Sequence, residues 1–174
     1  IAMVQGNCLA GAWMSASMCD LIVAADDAQF GDPVVRMTPA AVEILFHPYD
    51  VGFRKAKEIL WTGDTVPAEE AKQLGMVSRV VPREQLEEAT LELARRIAMN
   101  MPVAVGLIKR SINNAWDEMG QRDAWKYHYL IHHLSHSSEE ATKYRDERAK
   151  AIEKGGVKEM LKARDGKFKE GGKY

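Results

Sequence analysis

Gly11 opens a run of small and apolar residues, Ala12 to Met18, with the composition of a buried helix. A glycine at such a helix start lets a ligand approach the main chain, and its free N–H can face a developing negative charge. Two ionisable side chains stand in apolar settings further on. Asp32, in the turn Gln29-Phe30-Gly31-Asp32-Pro33, is either a proton acceptor or a turn residue satisfying backbone N–H groups ahead of Pro33. His47, in Phe46-His47-Pro48-Tyr49, titrates where acid–base catalysis needs it; it is either a proton-transfer partner or a structural histidine. His128, His132 and His136 repeat at four-residue spacing and put three imidazoles on one helix face. A zinc site needs a further ligand and an ordered second shell, and no HExxH glutamate lies between His132 and His136. A polar or interfacial helix face is the expectation, and no metal site is assigned.

These groups need elements to position them. Ile1 to Val4 reads as a strand, and Leu21 to Ala25 as a short apolar run of buried-strand type. Asp26-Asp27 makes the turn into a further strand that begins at Ala28 to Gly31. Pro39 and Pro48 interrupt Val34 to Tyr49, which reads as loops with one short helix around Ala40 to Phe46. Arg54 to Leu60 forms a helix ended by Thr62-Gly63-Asp64. Pro67 takes the first helical position before Ala68 to Leu74, with Gly75 just past the end. Met76 to Val81 returns as a strand.

Only helices are expected after Pro82. Glu84 to Asn100 has Leu86, Leu93, Ile97 and Met101 on one face and a Glu92–Arg96 pair at i,i+4. A second helix starts at Pro102, with Val105, Ile108, Ile112, Trp116 and Met119 on its face. Ser137-x-x-Glu140 caps a third. Trp116, Trp125, Tyr127 and Tyr129 either pack internally or meet another subunit.

The chain has 174 residues, enough for one domain or a core with an appendage. A net charge of −1 gives no bulk attraction to nucleic acid or membrane. The segment from Arg148 to Lys173 carries nine Lys/Arg against four Asp/Glu. It is a solvated terminal helix or a contact for ligand phosphates or a neighbouring subunit. Cys8 and Cys19 sit among apolar residues, which predicts buried free thiols and a reducing, cytoplasmic setting. No stretch reaches the roughly 18 apolar residues of a membrane span.

Val4 to Pro33, VQGNCLAGAWMSASMCDLIVAADDAQFGDP, resembles the enoyl-CoA hydratase/isomerase (crotonase) family, and Thr62 to Pro82, TGDTVPAEEAKQLGMVSRVVP, resembles the same family's next segment. The resemblance implies an α/β fold. Residues 1–82 would be the C-terminal part of a spiral of β-β-α turns, and 83–174 a helical trimerisation region. The chain opens inside a strand without an initiator Met, so an N-terminal part is expected ahead of Ile1. In the family that part supplies further strands, a second oxyanion-hole N–H and much of the CoA pocket.

By the same resemblance Gly11 matches the oxyanion-hole glycine, whose N–H binds the thioester oxygen as it becomes enolate-like. Hydratases of the family carry one glutamate three residues after that glycine and another after the proline of the turn. Met14 and Val34 occupy those places, and neither side chain transfers a proton. In an extended segment Asp32 would point to the same side as Val34. Desolvation by Met14 and Val34 would then raise its pKa toward neutrality. Some hydrolytic members have an aspartate in this turn. Gly6, Leu9, Met14 and Val34 are the expected substrate-binding positions, joined by Lys109, which could reach a CoA phosphate or be an ordinary exposed lysine.

The function implied is an acyl-CoA-processing enzyme that stabilises a thioester enolate. Hydration is the family default, and isomerisation or C–C hydrolysis suits the missing glutamates equally. The alternative is a non-catalytic acyl-CoA-binding or assembly protein. Coenzyme A enters only as part of the substrate, no cofactor is implied, and a homotrimer or dimer of trimers is expected.

Overall fold

The computed structural model describes residues 1–171. Two small sheets grow side by side as the chain winds. β1 (Ala2–Val4) and β2 (Asn7–Leu9) lead into α1 (Gly11–Ser17), and β3 (Ile22–Ala25) and β4 (Gln29–Gly31) follow. β3 lies parallel to β1 with Ala2 opposite Ile22, and β4 lies parallel to β2 with Asn7 opposite Gln29. Each β-β-α turn therefore adds one strand to each sheet. A 3-10 turn at Pro33–Arg36, α2 (His47–Val51) and α3 (Phe53–Thr62) come next. β5 (Thr65–Pro67) pairs antiparallel with β4, and after α4 (Ala68–Gln73) β6 (Arg79–Val81) pairs parallel with β3.

The four residues of β3 are all buried because both faces of its sheet are covered. Ile22 and Ala24 face the main core, while Val23 and Ala25 meet Leu86 and Leu93 of α5 (Leu86–Ala98). Trp13 is the centre of the main core, fully buried, with Phe30 at 6.2 Å and Phe46 at 5.3 Å between ring centroids. The small residues Ala24, Ala28, Ala68 and Ala71 let the backbones close around it, and Ala68 N–H donates to Ala28 O at 3.0 Å.

After Val81 the described residues form helices only: a 3-10 turn at Arg83–Gln85, α5, α6 (Pro102–Glu118), α7 (Gln121–Ser135) and α8 (Glu139–Gly171). α8 leaves helical geometry at Gly155 and Gly156, the latter at φ +69°. Beyond that break Asp165 reaches Arg36 at 3.6 Å, and Phe168 lies under its guanidinium at 4.1 Å. Among the described residues no helix is long and apolar enough to cross a membrane.

Several expectations need correction. Residues 40–46 form no helix, because the loop's polar groups are bonded by distant side chains. The helix begins instead at His47, with Pro48 at an N-terminal position where its missing N–H costs nothing. Pro67 ends β5 and precedes α4 as its N-cap. The capping hydroxyl belongs to Ser138, accepting from Ala141 N–H at 3.1 Å, one residue later than predicted. Glu92 faces Arg79 at 3.6 Å rather than Arg96. Cys8 is buried, but Cys19 lies past the end of α1 and is exposed. Val105, Ile108, Ile112, Trp116 and Met119 stay exposed on α6, a broad apolar face turned away from the core.

Candidate functional site

The site begins where β4 ends. Ala10 N–H donates to Gly31 O at 2.8 Å, which ties the start of α1 to the end of the central strand of its sheet. To make that contact Ala10 adopts φ +50° and ψ −116°, the one positive φ outside glycine among the described residues. Such a conformation is held only where the surroundings enforce it. Its effect is to turn the next N–H outward. Gly11 N–H has no acceptor among the described residues, and a Cβ built on Gly11 would meet nothing within 4 Å. The first amide of a helix with open space before it can receive a partial negative charge.

Asp32 follows Gly31 directly, so it flanks the same hydrogen bond as Gly11. Its carboxylate turns inward, however. It is fully buried, with Oδ1 accepting from Val34 N–H and Oδ2 from Val42 N–H, each at 3.1 Å. The extended segment expected around it is replaced by the 3-10 turn at Pro33–Arg36. The carboxylate caps that turn and does not project beside Val34. His47 is also fully buried, with Nε2 3.3 Å from Asp32 Oδ2. That approach is in ion-pair range but off-line, and neither ring nitrogen has a hydrogen bond among the described residues. The imidazole stacks on Phe46 at 3.9 Å and meets the edge of Trp13 at 4.9 Å.

Met14 and Val34 are half-buried and pack against the main core beside these groups. Leu9 ends β2 with its side chain over Gly31, where an added Cβ would come within 3.3 Å of it. Thus Gly11, Leu9, Met14, Asp32, Val34 and His47 gather around the N-terminal end of α1. Two expected residues lie apart. Gly6, at φ +58°, turns the chain at the opposite end of β2, its N–H donating to Asp27 Oδ1 at 3.3 Å. Lys109 pairs with Asp20 at 2.7 Å on the exposed side of α6.

Two features were not foreseen. Asp50 on α2 accepts a 2.5 Å hydrogen bond from Ser17 Oγ, joining the end of α1 to the helix of His47, and burial pushes its pKa up to about 6. The only sequence signal was an acid among apolar neighbours. The histidines of α7 also have definite partners. His128 Nε2 lies 2.9 Å from Val42 O, His132 Nδ1 2.9 Å from Ala41 O, and His136 Nε2 3.1 Å from His132 Nε2.

Known proteins resemble this chain in sequence and fold. The Mycobacterium tuberculosis protein EchA13, whose name assigns it provisionally to the enoyl-CoA hydratases, is 46% identical over 138 residues, 79% of this chain and 43% of that protein. The mitochondrial enoyl-CoA hydratase of Pongo abelii is 36% identical over 119 residues, 67% of this chain and 41% of the relative. The chain thus spans less than half the length of these curated relatives. The crystal structure of an enoyl-CoA hydratase/isomerase from Xanthobacter autotrophicus Py2 superposes with a TM-score of 0.85 at 32% identity, covering 93% of this chain and 60% of that one. Residues 1–155 match the model of the enoyl-CoA hydratase/isomerase family, and the chain belongs to that family.

Proposed function

We propose that this chain forms the C-terminal part of an enzyme acting on acyl-CoA thioesters. The Gly11 N–H serves as one donor to the thioester oxygen as it gains enolate character. The observation that carries this reading is the free amide at the start of α1, turned outward by the strained Ala10. A preorganised donor of this kind is typically worth about 2.7–4 kcal/mol in the transition state. Asp32 and His47 are the candidate proton-handling pair, since Met14 and Val34 carry no proton. Without the two glutamates, isomerisation or C–C hydrolysis suits the side chains as well as hydration does. The exposed apolar face of α6 suits burial against other copies in a trimeric assembly, and the reducing cytoplasm suits the free Cys8 and Cys19. A second reading, a protein that binds acyl-CoA without turning it over, draws on the complete burial of Asp32 and His47.

Gly11→Ala decides between packing and ligand approach. With open space at the Cβ position and a negative φ, the variant keeps its melting temperature. The added methyl stands where the thioester must come, so turnover of a short 2-enoyl-CoA falls by about 10²-fold. Unaltered turnover removes Gly11 from the site. A parent protein that binds the thioester without product formation decides for the second reading.

A further inference from the structure

We infer that His128 is a positioning residue for Asp32, acting through Val42, whose carbonyl it holds, with His132 as its companion on the 41–42 peptide that carries the Val42 N–H itself. The inference rests on the reading of Asp32 as part of the site. Val42 is gripped from both sides: its N–H donates to Asp32 Oδ2 at 3.1 Å and its carbonyl accepts from His128 Nε2 at 2.9 Å. His132, one turn along α7, holds the Ala41 carbonyl through Nδ1 at 2.9 Å, the opposite end of the same peptide plane whose N–H reaches Asp32. A carbonyl only accepts, so these contacts settle which ring nitrogens carry protons: Nε2 of His128 and Nδ1 of His132. His132 Nε2 is then the acceptor for the Nε2–H of His136, 3.1 Å away. The four-residue spacing of the three histidines is accounted for by this chain of hydrogen bonds.

The consequence concerns Asp32. Its second oxygen has one hydrogen-bond donor, the Val42 amide, and that amide belongs to a loop with no regular structure from Thr38 to Phe46. No backbone hydrogen bond of the loop fixes the orientation of peptides 41–42 and 42–43; α7 does, through His132 and His128 respectively. His47 Nε2 approaches the same Oδ2 at 3.3 Å, so the direction of the carboxylate also sets its contact with the imidazole. Desolvation lowers the pKa of His128, which keeps the ring in its neutral, single-tautomer form. His128 touches neither Asp32 nor His47 by hydrogen bond; it acts at one remove.

The test compares His128→Phe, which keeps a ring but has no donor, with His128→Gln, whose amide can donate to the same carbonyl. Both are made in the complete protein and read by amide exchange at Val42, with Val23 in β3 as internal reference, and by the His47 C2-proton resonance. His128→Phe should speed Val42 exchange at least about 10-fold, leave Val23 unchanged and shift the His47 resonance, and His128→Gln should restore both. On a short 2-enoyl-CoA, kcat should fall by about 10-fold or more with KM unchanged, and return in the Gln variant. Wild-type exchange at Val42 and an unmoved His47 resonance in His128→Phe overturn the inference, whatever the activity. If His128→Phe does not fold, His128→Gln against His128→Asn, whose shorter amide cannot span to the carbonyl, gives the same comparison. Full turnover in Asp32→Asn alongside a loosened Val42 refutes the site reading and leaves the positioning geometry standing.

Discussion

Replacing Asp32 by Asn tests whether the buried carboxylate holds the turn and the loop together. The two oxygens of Asp32 receive one backbone N–H each, from Val34 and from Val42. Asparagine has one oxygen, so its NH2 group must face one of those N–H donors, and a buried amide loses its partner. An unsatisfied buried group costs about 1–3 kcal/mol, and more where the lost acceptor was charged. For a chain of this size each kcal/mol moves Tm by about 2–4 °C, which gives a fall of roughly 2–12 °C. Thermal melting at pH 7 followed by circular dichroism measures it, with amide exchange at Val34 and Val42 showing which donor was orphaned. Turnover on a 2-enoyl-CoA should drop by about 10²-fold, the usual scale for losing a general base. A Tm within about 1 °C of the parent would refute the structural argument, because a two-donor buried acceptor cannot be halved at no cost.

Asp50 has a folded pKa of about 6 against an ordinary aspartate value of 3.8, so the folded state binds the extra proton between those values and stability falls as pH rises through that window. Asp50→Asn, which can still accept from Ser17, should remove this slope between about pH 4 and 6 and raise Tm at neutral pH by several degrees; an unchanged slope in a pH series of melts rejects the assignment. Burial pushes the Cys8 thiol up to about 11 while Cys19 is exposed, so a thiol reagent at pH 8 should modify one cysteine per folded chain and the second only after unfolding. Fast labelling of both in the folded state contradicts the packing around β2. Gly63 ends α3 at φ +71°, and an added Cβ would fall 2.6 Å from Arg36 Nε, which is itself fixed to Thr62 O and Asp64. Gly63→Ala should therefore cost about 1–3 kcal/mol in a urea titration, with an unaffected midpoint showing that Arg36 is free to move.

Residues whose burial follows from local composition were legible in the sequence. β3 stands out because a strand covered on both faces is apolar at every position, and α1 because small residues follow Gly11. β2 and β5 escaped notice because Asn7 follows the turn glycine Gly6 and Pro67 reads as a helix start, so neither three-residue strand shows a continuous apolar run. The loop from Thr38 to Phe46 was misread as partly helical because its hydrogen bonds come from Asp32, His128 and His132, up to 91 residues away in the chain. The same distance concealed the direction of Asp32. Its position in the turn was readable, but which way its carboxylate points depends on the Val42 amide and on α7 behind it.

The two halves of the candidate chemistry depend on the sequence in different ways. The Gly11 amide is aimed by main-chain geometry: one hydrogen bond from Ala10 to Gly31 and one strained residue. Side chains at 14 and 34 can change without disturbing it, since both rest half-buried against the core. Proton transfer has no such protection, because it needs a titratable group at a particular place, and Met14 and Val34 provide none. Within one fold the donor to a thioester oxygen can therefore persist while the reaction it serves changes. On the proposed reading the acid–base function falls to Asp32 and His47, which are positioned from α2, the 38–46 loop and α7 together.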